Sequence, residues 1–334
     1  MLKRLLFYLV LAVLGTYALN KVYECFLRPD SLFFQKTIEI SKKWSYELRK
    51  SHEPCYVFTG GSEVRMNIEP QTMLEKQGVR AINAGTQAGN GVRCNAQIAL
   101  PFLRKGDTLL VSYIPGNDTF YHDGMSHAGI NFCHTMQGFS PFTSGIIPTS
   151  CYSIASLFRG SSSTYAIHIM RLLTRPDCIY RYSSLKNAEI SKTGRVNVFL
   201  STVQQAGLSD EPVEFKPPVM HSWESFMNDL KRYCHERGIT LVMYISRAYI
   251  SINHRKNNAA AALFFIKEGF PVLKDPHLGC WPDASMFSDT DLHLSIEGGK
   301  IFSEFLALQL KNQQYWSKEE LQQVMGEPLT AGAH

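Results

Sequence analysis

The sequence has no Cys-x-x-Cys pair, no Lys/Arg block in its body, no internal repeat and no low-complexity tract. Each absence removes a class. Eight cysteines stand singly at positions 25, 55, 94, 133, 151, 178, 234 and 280, a scatter that argues against a structural zinc site. In an oxidising compartment some of them would pair, but spacing assigns no partners. Cys55, inside the first apolar strand, and Cys94, in a helical pattern, read as small buried hydrophobes. A formal charge of +5, spread along the chain without a zinc-finger or RNA-module signature, excludes nucleic acid as the expected partner. No cysteine directly follows the N-terminal apolar run, as a lipoprotein would need.

What is present is a chain of 334 residues, long enough to bury a sizeable core. Its N-terminus, MLKRLLFYLVLAVLGTYALNK, sets Lys3 and Arg4 before an uncharged, largely apolar run from Leu5 to Asn20. At about 1.5 Å per helical residue this run is slightly short for a full span, a deficit that flanking residues can make up. The leading charges favour the cytoplasmic side and send the rest across the membrane. Residues 1–27 are therefore expected to be a signal anchor, with a signal peptide cleaved near Thr16-Tyr17-Ala18 as the other reading.

Beyond it, residues 28–52 carry mixed charge and suggest a stalk helix. Then short apolar runs alternate with helical patterns. Strands are expected at Cys55–Phe58, Val79–Ile82, Thr108–Ile114, Thr240–Ile245 and Phe270–Leu273. Helices are expected at Glu69–Gln77, Ala88–Leu103, Trp223–Arg237, Asn257–Lys267, Ser295–Leu310 and Ser317–Met325. Alternation of this kind predicts an α/β fold, a three-layer α/β/α sandwich with a mainly parallel central sheet, whose ligand crevice lies beyond the carboxyl ends of the strands. Residues 119–220 break the rhythm and read as an insertion or cap, and residues 314–334 as a C-terminal helix and tail.

Four stretches at strand exits and loops carry candidate chemistry. YVFTGGSEVRMN puts Gly60, Gly61 and Ser62 directly after an apolar run, where a permissive backbone can present a hydroxyl clear of the sheet. INAGTQAGNG places Gly85 two residues after Asn83 at the next strand exit. SYIPGNDTF supplies Asn117, whose amide can donate to an oxyanion along with the N–H groups of Ser62 and Gly85. FSDTDLHLSIEGGKIF sets His293 just ahead of a helix, with Asp289 and Asp291 four and two positions before it. An imidazole can take a serine proton near neutrality, and a carboxylate can hold its tautomer. Taken singly, each is also ordinary turn or capping chemistry. His122, Asp123 and His127 have irregular spacing and read as surface polar residues rather than metal ligands, and Asn117-Asp118-Thr119 is a glycosylation sequon relevant only to a eukaryotic secretory pathway.

The order of these motifs resembles the SGNH, or GDSL-like, hydrolase superfamily, over residues 54–115 and 221–311. GGSEVRMNIEPQTM, VRAINAGTQAGNG and DTDLHLSIEGGKIFSEFL also resemble a bacterial membrane-anchored branch linked to surface-polysaccharide modification. The resemblance implies a catalytic domain at 53–118 and 221–313, with Ser62 as nucleophile, His293 as base, an aspartate as orienting acid, Ser62, Gly85 and Asn117 as oxyanion hole, and no cofactor or metal. Three departures stand out: Gly-Gly-Ser replaces Gly-Asp-Ser, Gly116-Asn117-Asp118 compresses Gly-x-Asn-Asp, and Thr290 replaces the customary acid. Asp289 or Asp291 must then orient His293, with Asp289 preferred. The implied activity is that of a serine esterase or O-acyltransferase acting on acylated glycan or another ester. It would be held at a bacterial inner membrane by one pass, with the body in the periplasm or outside the cell. A catalytically inactive glycan-binding or assembly component on the same fold is the alternative.

Overall fold

The computed structural model describes residues 2–22, 29–87, 91–114, 188–198, 215, 221–288 and 290–326. Within them a four-stranded, all-parallel sheet runs in the order β2-β1-β3-β6, with β1 at Tyr56–Thr59, β2 at Ala81–Asn83, β3 at Thr108–Tyr113 and β6 at Thr240–Ile245. A two-stranded antiparallel hairpin, β4 (Ala188–Ile190) and β5 (Val196–Val198), stands apart from it. The helices are α1 (Leu2–Val22), α2 (Pro29–Leu48), α3 (Ser62–Asn67), α4 (Pro70–Gln77), α5 (Gly91–Ala99), α6 (His221–Glu236), α7 (Arg255–Lys267), α8 (Ile296–Lys311) and α9 (Lys318–Gly326).

The strands are apolar throughout because both faces are covered. Val57, Leu109, Val111, Leu241, Met243 and Ile245 pack on one side, against α2, α5, α6, α7 and α9. Phe58, Leu110, Val242 and Tyr244 pack on the other, against α3, α4 and α8. The expected α/β sandwich is thus present, of the doubly wound, flavodoxin-like kind. The chain leaves β1 toward β2 on one side and reaches β3 on the other, which makes the carboxyl ends of β1 and β3 the switch point at which sheets of this kind place ligands.

Local chemistry adjusts several expected boundaries. Pro101 cannot donate the next helical hydrogen bond, so α5 ends at Ala99 and tightens into a 3-10 turn, Leu100–Phe102. The strand expected at Phe270–Leu273 is reduced to isolated bridges, Val272 parallel to Met243 and Leu273 antiparallel to Tyr315.

The helix expected as a stalk packs into the body. Phe34, Ile38, Ser41, Ser45 and Leu48, on one face of α2, are buried. Ser41 Oγ donates to Asn83 O at 2.8 Å and Trp44 Nε1 to Ala81 O at 2.9 Å, so side chains of α2 occupy carbonyls along β2. Below it, Arg49 grips Asp107 through two hydrogen bonds of 2.7 and 2.5 Å, while Asp107 accepts the backbone N–H groups of Cys55 and Arg104. The hairpin, expected within an insertion, also belongs to the body, with Thr193, Gly194, Arg195 and Val196 buried.

α1 forms as a helix, and Leu2, Leu5, Leu6, Phe7, Leu9 and Leu11 are exposed. No helix among the described residues is long and apolar enough to cross a membrane, so the expected membrane-spanning helix is not seen. Cys55, Cys94, Cys234 and Cys280 are buried free thiols, with burial pushing Cys234 and Cys280 up to about 12.

Candidate active site

Ser62 is the first residue of α3 and follows β1 by two glycines. A Cβ on Gly60 would lie 2.5 Å from Glu63 Oε1 and 2.8 Å from Ser112 Cβ, so the strand can run directly into the helix only without a side chain there. The half-buried Ser62 hydroxyl lies 2.8 Å from His293 Nε2, although 231 positions separate the two in sequence. That is within reach for proton transfer.

His293 sits on one arm of a tight turn closed by an antiparallel bridge between Phe287 and Leu294. Ser288 N–H donates to His293 O and Ser295 N–H to Met286 O, both at 2.8 Å. Ser295 then caps α8 by accepting the Gly298 N–H at 3.1 Å. Of the two candidate acids, Asp289 lies outside the described residues. The Asp291 side chain is exposed, and the residue is held instead through its carbonyl, which accepts Tyr249 N–H at 2.7 Å. The structure therefore does not bring the Asp291 carboxylate to the imidazole.

The expected oxyanion donors fare differently. Ser62 N–H opens a helix and has no acceptor within it. Gly85 N–H donates to Asn83 Oδ1 at 3.0 Å, which engages it within its own loop. Close packing explains the glycine: a Cβ at position 85 would lie 2.6 Å from both Arg65 N and Val64 Cβ. Asn83 in turn caps the far end of α3, its Nδ2 donating to Val64 O and Ile68 O, each at 2.9 Å. Asn117, together with His122, Asp123 and His127, lies outside the described residues. No group of three or more His, Cys, Asp or Glu side chains poised for a metal occurs among the described residues.

Three residues that the motifs did not single out shape the site. Glu63, beside Ser62, is buried, and its Oε1 accepts Gly61 N–H at 2.8 Å. Desolvation raises its carboxyl above the ordinary range, offset in part by that hydrogen bond, by the nearby Ser112 hydroxyl and by charge on His293. Glu63 Oε2, Ser112 Oγ and Tyr244 OH are all buried without completing a hydrogen bond, and burial pushes the Tyr244 phenol well up. Asn67, at the end of α3, spans to the histidine turn by donating to Leu292 O and accepting Leu294 N–H. Arg195, from the hairpin, donates through Nε to Met66 O at 2.7 Å, through Nη2 to Ser295 O at 2.9 Å and through Nη1 to Ile296 O at 3.2 Å. Only the Ser-Glu neighbour pair was open to suspicion from sequence. The other two act on backbone groups, which carry no residue signature.

Compared with protein-family models, with curated proteins and with solved structures, the chain matches none.

Proposed function

We propose that this chain is an SGNH-type serine hydrolase or acyltransferase acting on an ester, an acetylated glycan being the favoured substrate class. The observation that carries the reading is the 2.8 Å approach of His293 Nε2 to Ser62 Oγ at the carboxyl edge of a parallel sheet. Ser62 Oγ attacks the ester carbonyl carbon as His293 Nε2 takes its proton. The tetrahedral oxyanion lies against the Ser62 N–H, while Gly85 N–H contributes only by releasing Asn83. Collapse returns the proton to the departing alcohol and leaves an acyl-serine. Water, or a sugar hydroxyl in the transferase case, then attacks with His293 again as base. Asp289 is the preferred orienting acid, the Asp291 side chain being exposed. Asn117 is the remaining oxyanion donor proposed from the resemblance.

The chain is further proposed to reach a bacterial inner membrane through α1, with the body on its outer side. Exposed leucines behind Lys3 and Arg4 support a targeting role for this segment. Fractionation of cells expressing the full chain, with and without residues 2–22, checks the location; equal recovery of both in the soluble fraction would count against it.

The full chain is expected to turn over p-nitrophenyl acetate and to be labelled by a fluorophosphonate probe at Ser62. Ser62→Ala should lose both, with turnover falling by at least about a thousandfold. Equal turnover by wild type and variant rejects the mechanism. A second reading, a catalytically inactive glycan-binding component, draws on the engaged Gly85 N–H and the exposed Asp291 carboxylate. Glycan binding by a chain that the probe does not label selects it.

A further inference from the structure

We propose that Asn67 is a positioning residue that sets the His293 imidazole against the Ser62 hydroxyl, by clipping the backbone on both sides of the histidine to the helix that begins with the serine. The proposal rests on the reading of Ser62 and His293 as a reacting pair. α3 has six residues, so Ser62 and Asn67 are its two ends and move as one rigid turn. A side-chain amide has one donor end and one acceptor end, and Asn67 uses each on a different neighbour of His293. Its Nδ2 donates to Leu292 O at 2.9 Å, and its Oδ1 accepts Leu294 N–H at 2.7 Å. Both peptide units flanking the histidine are therefore tied to one side chain. An imidazole reaches its place from Cα through two torsions, so holding the flanking peptides confines where Nε2 can lie.

The clip is itself braced. Asn67 is fully buried, and its carbonyl accepts Ser303 Oγ at 3.3 Å. Ser303 Oγ also accepts Glu69 N–H at 2.7 Å, joining α8 to the chain just beyond α3. Arg195 makes an independent tie between the same two segments, through Met66 O on one side and Ser295 O and Ile296 O on the other. Few replacements satisfy both ends of the clip. Aspartate keeps the acceptor for Leu294 N–H but turns a second oxygen toward the Leu292 carbonyl. A displacement of about 1 Å at a reacting pair can reduce rate on the order of a hundredfold.

The test uses the full chain labelled with 15N-histidine, in four forms: wild type, Ser62→Ala, Asn67→Asp and the double variant. At one fixed pH, Ser62→Ala is expected to move the His293 Nε2 resonance in the wild-type background and to move it little when Asn67→Asp is present. Fluorophosphonate labelling of Ser62 should slow about a hundredfold in Asn67→Asp, with the circular dichroism unchanged. An equal resonance change in both backgrounds overturns the proposal. The resonance reports the hydrogen bond rather than reactivity, so a wild-type protein that fails to react with the probe rejects the enzyme reading while the cycle still decides the clip. Should Asn67→Asp not fold, hydrogen exchange on the wild type decides. The Leu294 amide, whose acceptor is a side chain, should be strongly protected, and exchange at the rate of an open chain overturns the proposal.

Discussion

Replacing Glu63 by glutamine isolates the consequence of keeping a carboxyl group buried beside Ser62. Glu63 is 2% exposed, its Oε1 is occupied by Gly61 N–H, and its Oε2 lacks a partner. Desolvation raises the folded-state pKa above that of the unfolded chain. Between the two values the folded protein holds one proton that the unfolded chain releases, so the stability this group confers is complete below the unfolded value and is lost as pH rises through the folded one. The slope is about 1.4 kcal/mol per pH unit, from an ordinary glutamate value near 4.3 upward until the buried carboxyl ionises. Glutamine keeps the acceptor for Gly61 N–H and cannot titrate. Urea unfolding of both proteins at pH 5, 6 and 7 is expected to show the variant gaining on the wild type as pH increases. Parallel stability curves, offset by the same amount at every pH, would refute the claim that burial raises the Glu63 pKa.

Two further outcomes follow from packing. Gly85→Ala drives a methyl into backbone and Cβ atoms of α3 at 2.6 Å, neither of which can swing away, and is expected to destabilise by about 1–3 kcal/mol in thermal or urea unfolding. Unchanged stability would mean that α3 can shift freely. Asp107→Ala strands the buried Arg49 guanidinium and removes acceptors from Cys55 and Arg104, at about 3–5 kcal/mol in the same assay. A loss below about 1 kcal/mol, the scale of an exposed ion pair, would contradict the buried geometry.

The sheet was legible in the sequence because its strands are covered on both faces. YVFT and TLLVSY read as near-continuous apolar runs, and TLVMYI matches its strand end to end. Motif order drew attention to Ser62 and His293, whose side chains lie 2.8 Å apart, since strand exits and helix starts impose recognisable residue types. α3 was not, because six residues are too few to show a helical period. Nor was Arg195, which lies in a stretch without periodicity and earns its burial through carbonyls of Met66, Ser295 and Ile296. Gly85 was recognised for its N–H, yet the fold uses its missing Cβ.

By itself the sequence determined which chemical groups this protein has to work with and the succession of the four parallel strands and most of the helices around them, because burial and turn geometry act on neighbouring residues. Only the tertiary structure decided that the Ser62 hydroxyl and the His293 imidazole meet, that α2 and the hairpin are walls of the body, and that Asn67 grips the peptides around the histidine. Those outcomes depend on hydrogen bonds between groups more than two hundred positions apart, or to main-chain atoms that every residue shares, and neither leaves a local pattern to read.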